Sequence, residues 1–159
     1  MKLTPMHIKN ILVPHAGTLA GDKALSDAIY IAKMTGATIN ILHVIEPFSN
    51  PPKFVFTSTE RKEIQSKLKD TLDGIKKDIK DELKNRIKIC KSKSINANYK
   101  VAPGIPEDEI MKFSKNHKID LIIMAKRRKI PGIKGFLQLG SVSRKILEKA
   151  KCPVLIVES

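Results

Sequence analysis

Two hydrophobic periods alternate along this chain, and that alternation restricts the fold more than any other feature. Short runs of β-branched and aliphatic residues recur at KNILVP, TINILHV (Thr38 to Val44), NYKVA (Asn98 to Ala102), DLIIM (Asp120 to Met124) and VLIV (Val154 to Val157). Each has the length and composition of a strand. Between them apolar residues step by three or four, at Ala24, Ala28, Ile31 and Ala32, at Ile64, Leu68, Leu72, Ile75, Ile79, Leu83 and Ile87, and at Ile110 and Phe113. Ser141 to Ala150 reads as a fourth helix. Five strands alternating with four helices imply right-handed crossovers and an open parallel sheet with helices on both faces. At 159 residues the chain has the length of one domain, able to bury about 68 to 70% of its unfolded surface.

Local punctuation supports these boundaries. Gly36 follows the first helix where a C′ glycine belongs. Pro47, Pro51 and Pro52 mark a loop of about a dozen residues running to Thr59, where TSTE can cap a long helix reaching about Ile89. Gly74 interrupts that helix and weakens it slightly. Pro106 suits a first helical position, with Glu107, Asp108 and Glu109 in the turn it opens.

Charge narrows the partners. Thirty Lys and Arg against 16 Asp and Glu give +14, a value that raises nucleic acid or another polyanion. From Arg61 to Lys93, however, cations and anions interleave at helical spacing, as on a solvated helix face. Five Phe, two Tyr and no Trp supply few stacking platforms, which argues against nucleic acid. Only Lys126 to Lys134 concentrates cations, five of them without an acid. No apolar run approaches a membrane span and the first ten residues lack a signal-peptide core, so a cytoplasmic protein without a membrane partner is expected. Cys90 and Cys152 have no second Cys or His at metal-ligand spacing and read as inert thiols.

In open sheets of this kind ligands sit beyond the carboxyl ends of the strands, where strand order reverses. Two loops leave such ends with suggestive composition, His15 to Gly17 and Ala125 to Gly140. The second closes on Gly140 and Ser141 at the mouth of a helix, a place suited to a phosphate. A pair of glycines at Gly132 and Gly135 reads as a permissive turn. His15 reads as a surface loop histidine and His43 as a satisfied core one, while His7 and His117 have no identifiable partners. No nucleophile, base and orienting group stand at an enzyme-like spacing, which argues against catalysis.

Five segments in order, ILVPHAGT (11 to 18), TGATINILHVIEP (35 to 47), GIPEDEI (104 to 110), DLIIM and LGSVSRKILEKAKCPVLIV (139 to 157), resemble the universal stress protein family over essentially the whole length. The resemblance implies a single domain over residues 1–159, strand order 3-2-1-4-5, a Rossmann-like fold, and a homodimer pairing the last strands, Val154 to Val157. It also implies an adenine nucleotide, ATP or AMP, at the switch between the first and fourth strands, in a non-catalytic stress-response or regulatory protein.

Nucleotide-binding members carry G-x2-G-x9-G-[ST] after the fourth strand and an Asp in a V-P-x-D-G-S segment after the first. Here Ala125 and Arg128 occupy the two leading glycine positions, 11 residues separate Arg128 from Gly140, and Ala16 stands at the Asp position beside Pro14 and His15. Val44, Met124, Gly140, Ser141 and Val142 match, and Lys126 opens the basic run. Weak or altered nucleotide binding at these positions is therefore expected. The alternative is an interaction module that has lost the nucleotide.

Overall fold

A computed structural model describes residues 7–46, 57–126 and 140–158. In chain order the elements are β1 (Asn10–Pro14), α1 (Leu19–Thr35), β2 (Thr38–Ile45), α2 (Ser58–Ser92), β3 (Ala97–Pro103), α3 (Pro106–Asn116), β4 (Leu121–Ala125), α4 (Ser141–Lys149) and β5 (Val154–Val157). All the strand pairs are parallel, in the order 3-2-1-4-5. The alternation read from the sequence is thus the architecture.

Strand residues alternate between two cores, as a period of two requires. Ile11 and Val13 of β1, Ile39 and Ile41 of β2 and Ile123 of β4 pack with Ala24, Ala28 and Leu83 from α1 and α2. Leu12, Leu42, Ile122 and Met124 face the other way, onto Ile110 and Phe113 of α3 and Ile146 of α4. Helices α1 and α2 therefore cover one face, and α3 and α4 the other. Because α1 follows β1 and α4 follows β4, the chain leaves these two neighbouring strands toward opposite faces, which opens a crevice between them.

One carboxylate sets the register at that junction. Asp120 Oδ2 accepts from the backbone N–H groups of both Lys9 and Asn10 at 2.9 Å, and the Asp120 N–H donates to the Asn10 carbonyl at 2.9 Å. Ile11 then pairs with Leu121 and Leu12 with Ile122. Asp120, read as the first strand residue, instead precedes β4 as its clamp.

The helix ends largely follow their punctuation. Thr57 and Glu60 form a reciprocal capping box, so α2 starts at Ser58, and it continues to Ser92, three residues past the expected end. Its last turn holds Cys90, fully buried in the first core, which extends the stripe beyond Ile87. Pro106 opens α3 as expected, while α4 stops at Lys149. The third strand runs one residue further at each end than NYKVA. Pro47, Pro51, Pro52, Arg127, Arg128, Lys129, Gly132 and Gly135 lie outside the described residues.

Ile122 is fully buried at the centre of the sheet. Ile122→Ala is expected to cost about 2 to 5 kcal/mol of unfolding free energy in a urea titration, as core truncations do. A cost below about 1 kcal/mol would contradict the packing described.

Candidate functional site

The backbone turn after β1 is built around one imidazole. His15 continues the ladder, its N–H donating to the Leu42 carbonyl at 2.9 Å. Its side chain turns inward and is 2% exposed, contrary to the surface position expected for a loop histidine. Room comes from Gly21 in the first turn of α1, where a Cβ would stand 2.9 Å from the His15 ring. Both ring nitrogens are engaged. Nδ1 accepts from the Gly17 N–H at 3.0 Å, so Nε2 carries the proton and donates to Asp22 Oδ1 at 3.0 Å.

Asp22 is held in turn by α2, on the same face of the sheet. Arg86 donates from Nε to Oδ1 at 2.7 Å and from Nη2 to Oδ2 at 3.3 Å, and its Nη1 reaches Glu82 at 3.3 Å. Burial works against the Asp22 charge, yet the bonds from Arg86 and His15 hold its pKa below the usual value. Burial and the Arg86 charge push His15 down, outweighing its bond to Asp22, so the neutral tautomer fits the geometry. His43, half-buried rather than a core residue, is lowered chiefly by burial, against a hydrogen bond to the His15 backbone and the nearby Glu82 charge. The expected isolation of His117 is also corrected, since its ring stacks on Phe113 at 3.7 Å.

A cavity of about 340 Å³ opens between this turn and α4. Such a volume is in the range of small-molecule sites. Of the residues singled out from sequence, Pro14, His15, Ala16, Val44, Met124, Ala125, Lys126 and Val142 line it. Gly140 and Ser141 stand beside Val142 as the N-cap and first residue of α4. Arg128 lies outside the described residues. Leu42 and Met124, 1% and 5% exposed, give the cavity an apolar floor.

Two details bear on anions. The first turn of α4 carries no acid and has no side-chain cap at Gly140, leaving its backbone N–H groups and the positive end of the dipole free of a competing carboxylate. Ala125, at a family glycine position, is simply the last residue of β4, paired with Val157 and without a positive φ. No backbone strain arises there. Lys126 keeps the ladder through its N–H to the Val157 carbonyl at 2.7 Å, with its Nζ 4.0 Å from Glu158.

Sequence reasoning missed Thr18, Gly21, Leu42, Glu46, Pro106 and Ile110 along the cavity, and the Asp22–Arg86 support behind it. The carboxylate among the described lining residues is Glu46, at the end of β2. A glycine in the first turn of a helix was the available signal for close packing at Gly21.

Comparison with known proteins gives one family. A model described as the universal stress protein family matches residues 7–158. Universal stress protein YxiE of Bacillus subtilis is 32% identical over 151 residues, covering 92% of this chain and 97% of its own. A universal stress protein of Methanocaldococcus jannaschii is 30% identical over 152 residues, covering 94% of this chain and 82% of its own. Among solved structures, UspA from Lactobacillus plantarum superposes with a TM-score of 0.74 at 24% identity, over 95% and 98% of the two chains. An Archaeoglobus fulgidus universal stress protein in complex with dAMP gives 0.61 at 16% identity, over 96% and 98%. A universal stress protein in complex with cAMP gives 0.62 at 18%, over the same shares.

The buried imidazole generates two expectations. Gly21→Ala should destabilise by about 1 to 3 kcal/mol through overpacking against His15. In a His15→Ala background the same change should cost less by at least about 0.5 kcal/mol, and strict additivity in denaturant titrations would refute the contact. Second, His15 and His43 both have folded pKa values below 6.5, so the unfolded chain binds more protons just below that pH. Stability is then full above about pH 7 and falls toward pH 5, with Asp22 adding a further loss only below about pH 4. Urea midpoints measured across that range should show the decline, and His15→Asn should flatten it.

Proposed function

The chain belongs to the universal stress protein family, and on that premise we propose that it is a non-catalytic stress-response or regulatory protein that binds an adenine nucleotide in the crevice between β1 and β4. The observation that supports this reading is the cavity, whose lining includes Pro14, Ala16, Val44, Met124, Ala125 and Val142, the positions that the resemblance had aligned with the family pattern. The nucleotides in the structures from its relatives, dAMP and cAMP, have the adenine in common. A purine base fits the apolar part formed by Leu42, Val44 and Met124. A phosphate fits the α4 start at Gly140 and Ser141, where the first-turn N–H groups, without a side-chain cap among the described residues, and the dipole are worth about 1 to 2 kcal/mol to an anion.

Ala16 brings no carboxylate to the sugar, and Glu46 at the rim takes over as the acceptor for ribose hydroxyls. Lys126 adds a cation beside the phosphate end. With a helix start and one lysine in place of a glycine cradle, affinity is weak, and monophosphates lose less than ATP. Two subunits pair through β5, whose outer edge has no strand partner among the described residues. The protein acts in the cytoplasm by presenting its nucleotide-bound state to partners.

A second reading, an interaction module without nucleotide, draws support from Ala16 and Ala125, which line the cavity with methyl groups where the family places an acid and a glycine. Calorimetry with AMP, ATP and cyclic dinucleotides separates the two. Binding in the micromolar to millimolar range, weakened at least about tenfold by Met124→Trp and severalfold by Glu46→Ala, is the expected outcome, each tenfold step being about 1.4 kcal/mol. An absence of heat at millimolar ligand would leave the interaction module.

A further inference from the structure

The side chain of Arg86 reaches the cavity through a chain of other residues. It is 14% exposed, and neither it nor Asp22, to which it bonds, is among the described residues that line the cavity. Two bonds from Arg86 hold Asp22, Asp22 Oδ1 accepts from His15 Nε2, and His15 Nδ1 accepts from the Gly17 N–H. Gly17 has a φ of +75°, a conformation that a side chain would strain. Its neighbours Ala16 and Thr18 both line the cavity. The peptide unit between Ala16 and Gly17 is trans, so an N–H aimed at the imidazole turns the Ala16 carbonyl away from it. One bond to Nδ1 thus sets how this wall of the cavity is presented.

That bond exists only while Nδ1 keeps its lone pair. An imidazolium donates from both nitrogens, and the Gly17 N–H would then meet another N–H. Asp22 alone favours that outcome, since a carboxylate in contact with an imidazole stabilises the charged ring. Burial opposes it, and so does the Arg86 charge. Arg86 also holds the shared Oδ1 more closely than the ring does, at 2.7 Å against 3.0 Å, and adds a second bond to Oδ2. The charged and titratable groups around the ring are Asp22 from α1, Arg86 from α2 and His43 from β2, with Glu82 of α2 acting on His43. Without the guanidinium, two carboxylates would face two imidazoles, and both rings would take up protons more readily.

We infer that Arg86 is a positioning residue for the ligand-binding turn: it holds His15 as the Nε2–H tautomer, and with it the Gly17 bond and the wall formed by Ala16 and Thr18. For its ligand this role rests on the nucleotide reading above; for the turn it rests on the hydrogen bonds alone. Helix α2, which contributes no residue to the described lining, thereby takes part in affinity. A ligand that binds the ordered turn selects the neutral ring, so ligand binding and protonation of His15 oppose each other. Loss of the Arg86 charge moves the acid limb of binding to higher pH.

Calorimetry with AMP between about pH 8 and about pH 6, on the full chain and on Arg86→Leu and Arg86→Lys, tests this. The ratio of variant to wild-type affinity cancels the titration of the ligand's own phosphate. For Arg86→Leu the ratio should fall as the pH is lowered, by up to about tenfold per pH unit for one coupled proton. Arg86→Lys keeps the charge and should follow the wild-type pH dependence. Adding Asp22→Asn to Arg86→Leu removes the carboxylate that draws the proton and should abolish the extra loss at low pH. A merely structural role would lower the ratio by the same factor at every pH, and that result, like a ratio of one throughout, overturns the role assigned to Arg86.

NMR of the ligand-free proteins follows the His15 ring nitrogens, separately from those of His43, together with the Gly17 amide. Arg86→Leu should raise the pH at which His15 takes up its proton, and the Gly17 amide should lose protection from solvent exchange as it does so. If wild type binds no AMP, the nucleotide reading fails and the ring titration decides: a His15 titration unmoved by Arg86→Leu overturns the positioning role as well, and a raised one upholds it.

Discussion

Everything positioned at the crevice depends on how β1 is held at the centre of the sheet. It is the strand with a neighbour from each half of the chain, β2 on one side and β4 on the other, and Ile11, Leu12 and Val13 are fully buried on both faces. The Asp120 carboxylate fixes the β4 side by taking two consecutive backbone N–H groups of the approaching chain. Both bonds run to one carboxylate oxygen, from an exposed N–H at Lys9 and a part-buried one at Asn10. One acidic side chain thus aligns two halves of a sheet whose carboxyl ends, some residues later, must form opposite walls of one cavity.

The two walls are made by different physics. On the α1 side an ordered polar chain runs from Gly17 through His15 and Asp22 to Arg86 and Glu82, fixing the turn by directed bonds from a helix on the same face. On the α4 side the wall is apolar, with Val142 and Ile110, and α3 is joined to α4 by the ion pair of Glu107 and Lys145. That exposed pair is worth little in stability.

Much of the architecture was legible because period and punctuation are local. The strand runs, the Thr57 and Glu60 capping box and the proline at position 106 depend on residues within a few positions of each other, and all reappear in the structure. The strand order came from resemblance, since pairing of β1 with β4 joins residues more than a hundred positions apart. His15 shows where local reading fails. Its burial requires a missing side chain at Gly21, a carboxylate at Asp22 and a guanidinium 64 positions further on, and the last of these leaves no trace in the pattern around the loop. Glu46 was invisible for a similar reason, because an exposed charge just after a strand gives no sign that it borders a cavity until the other lining elements are in place. Ala125 had looked like a damaged phosphate cradle; as the paired last residue of β4 it carries no strain, and relative to glycine it adds only a methyl group.

The doubly engaged ring of His15 closes off a whole range of chemistry at the mouth of the crevice. Imidazole is the side chain most used to bind transition metals and to relay protons near neutral pH, and both uses require a nitrogen lone pair that can face the ligand. Here the Nδ1 lone pair is spent on the Gly17 amide and the Nε2 proton on Asp22. A histidine beside a nucleotide-sized cavity would ordinarily suggest coordination or hydrolysis. In this turn it is masonry, and whatever enters the crevice meets its flat edge and not its chemistry.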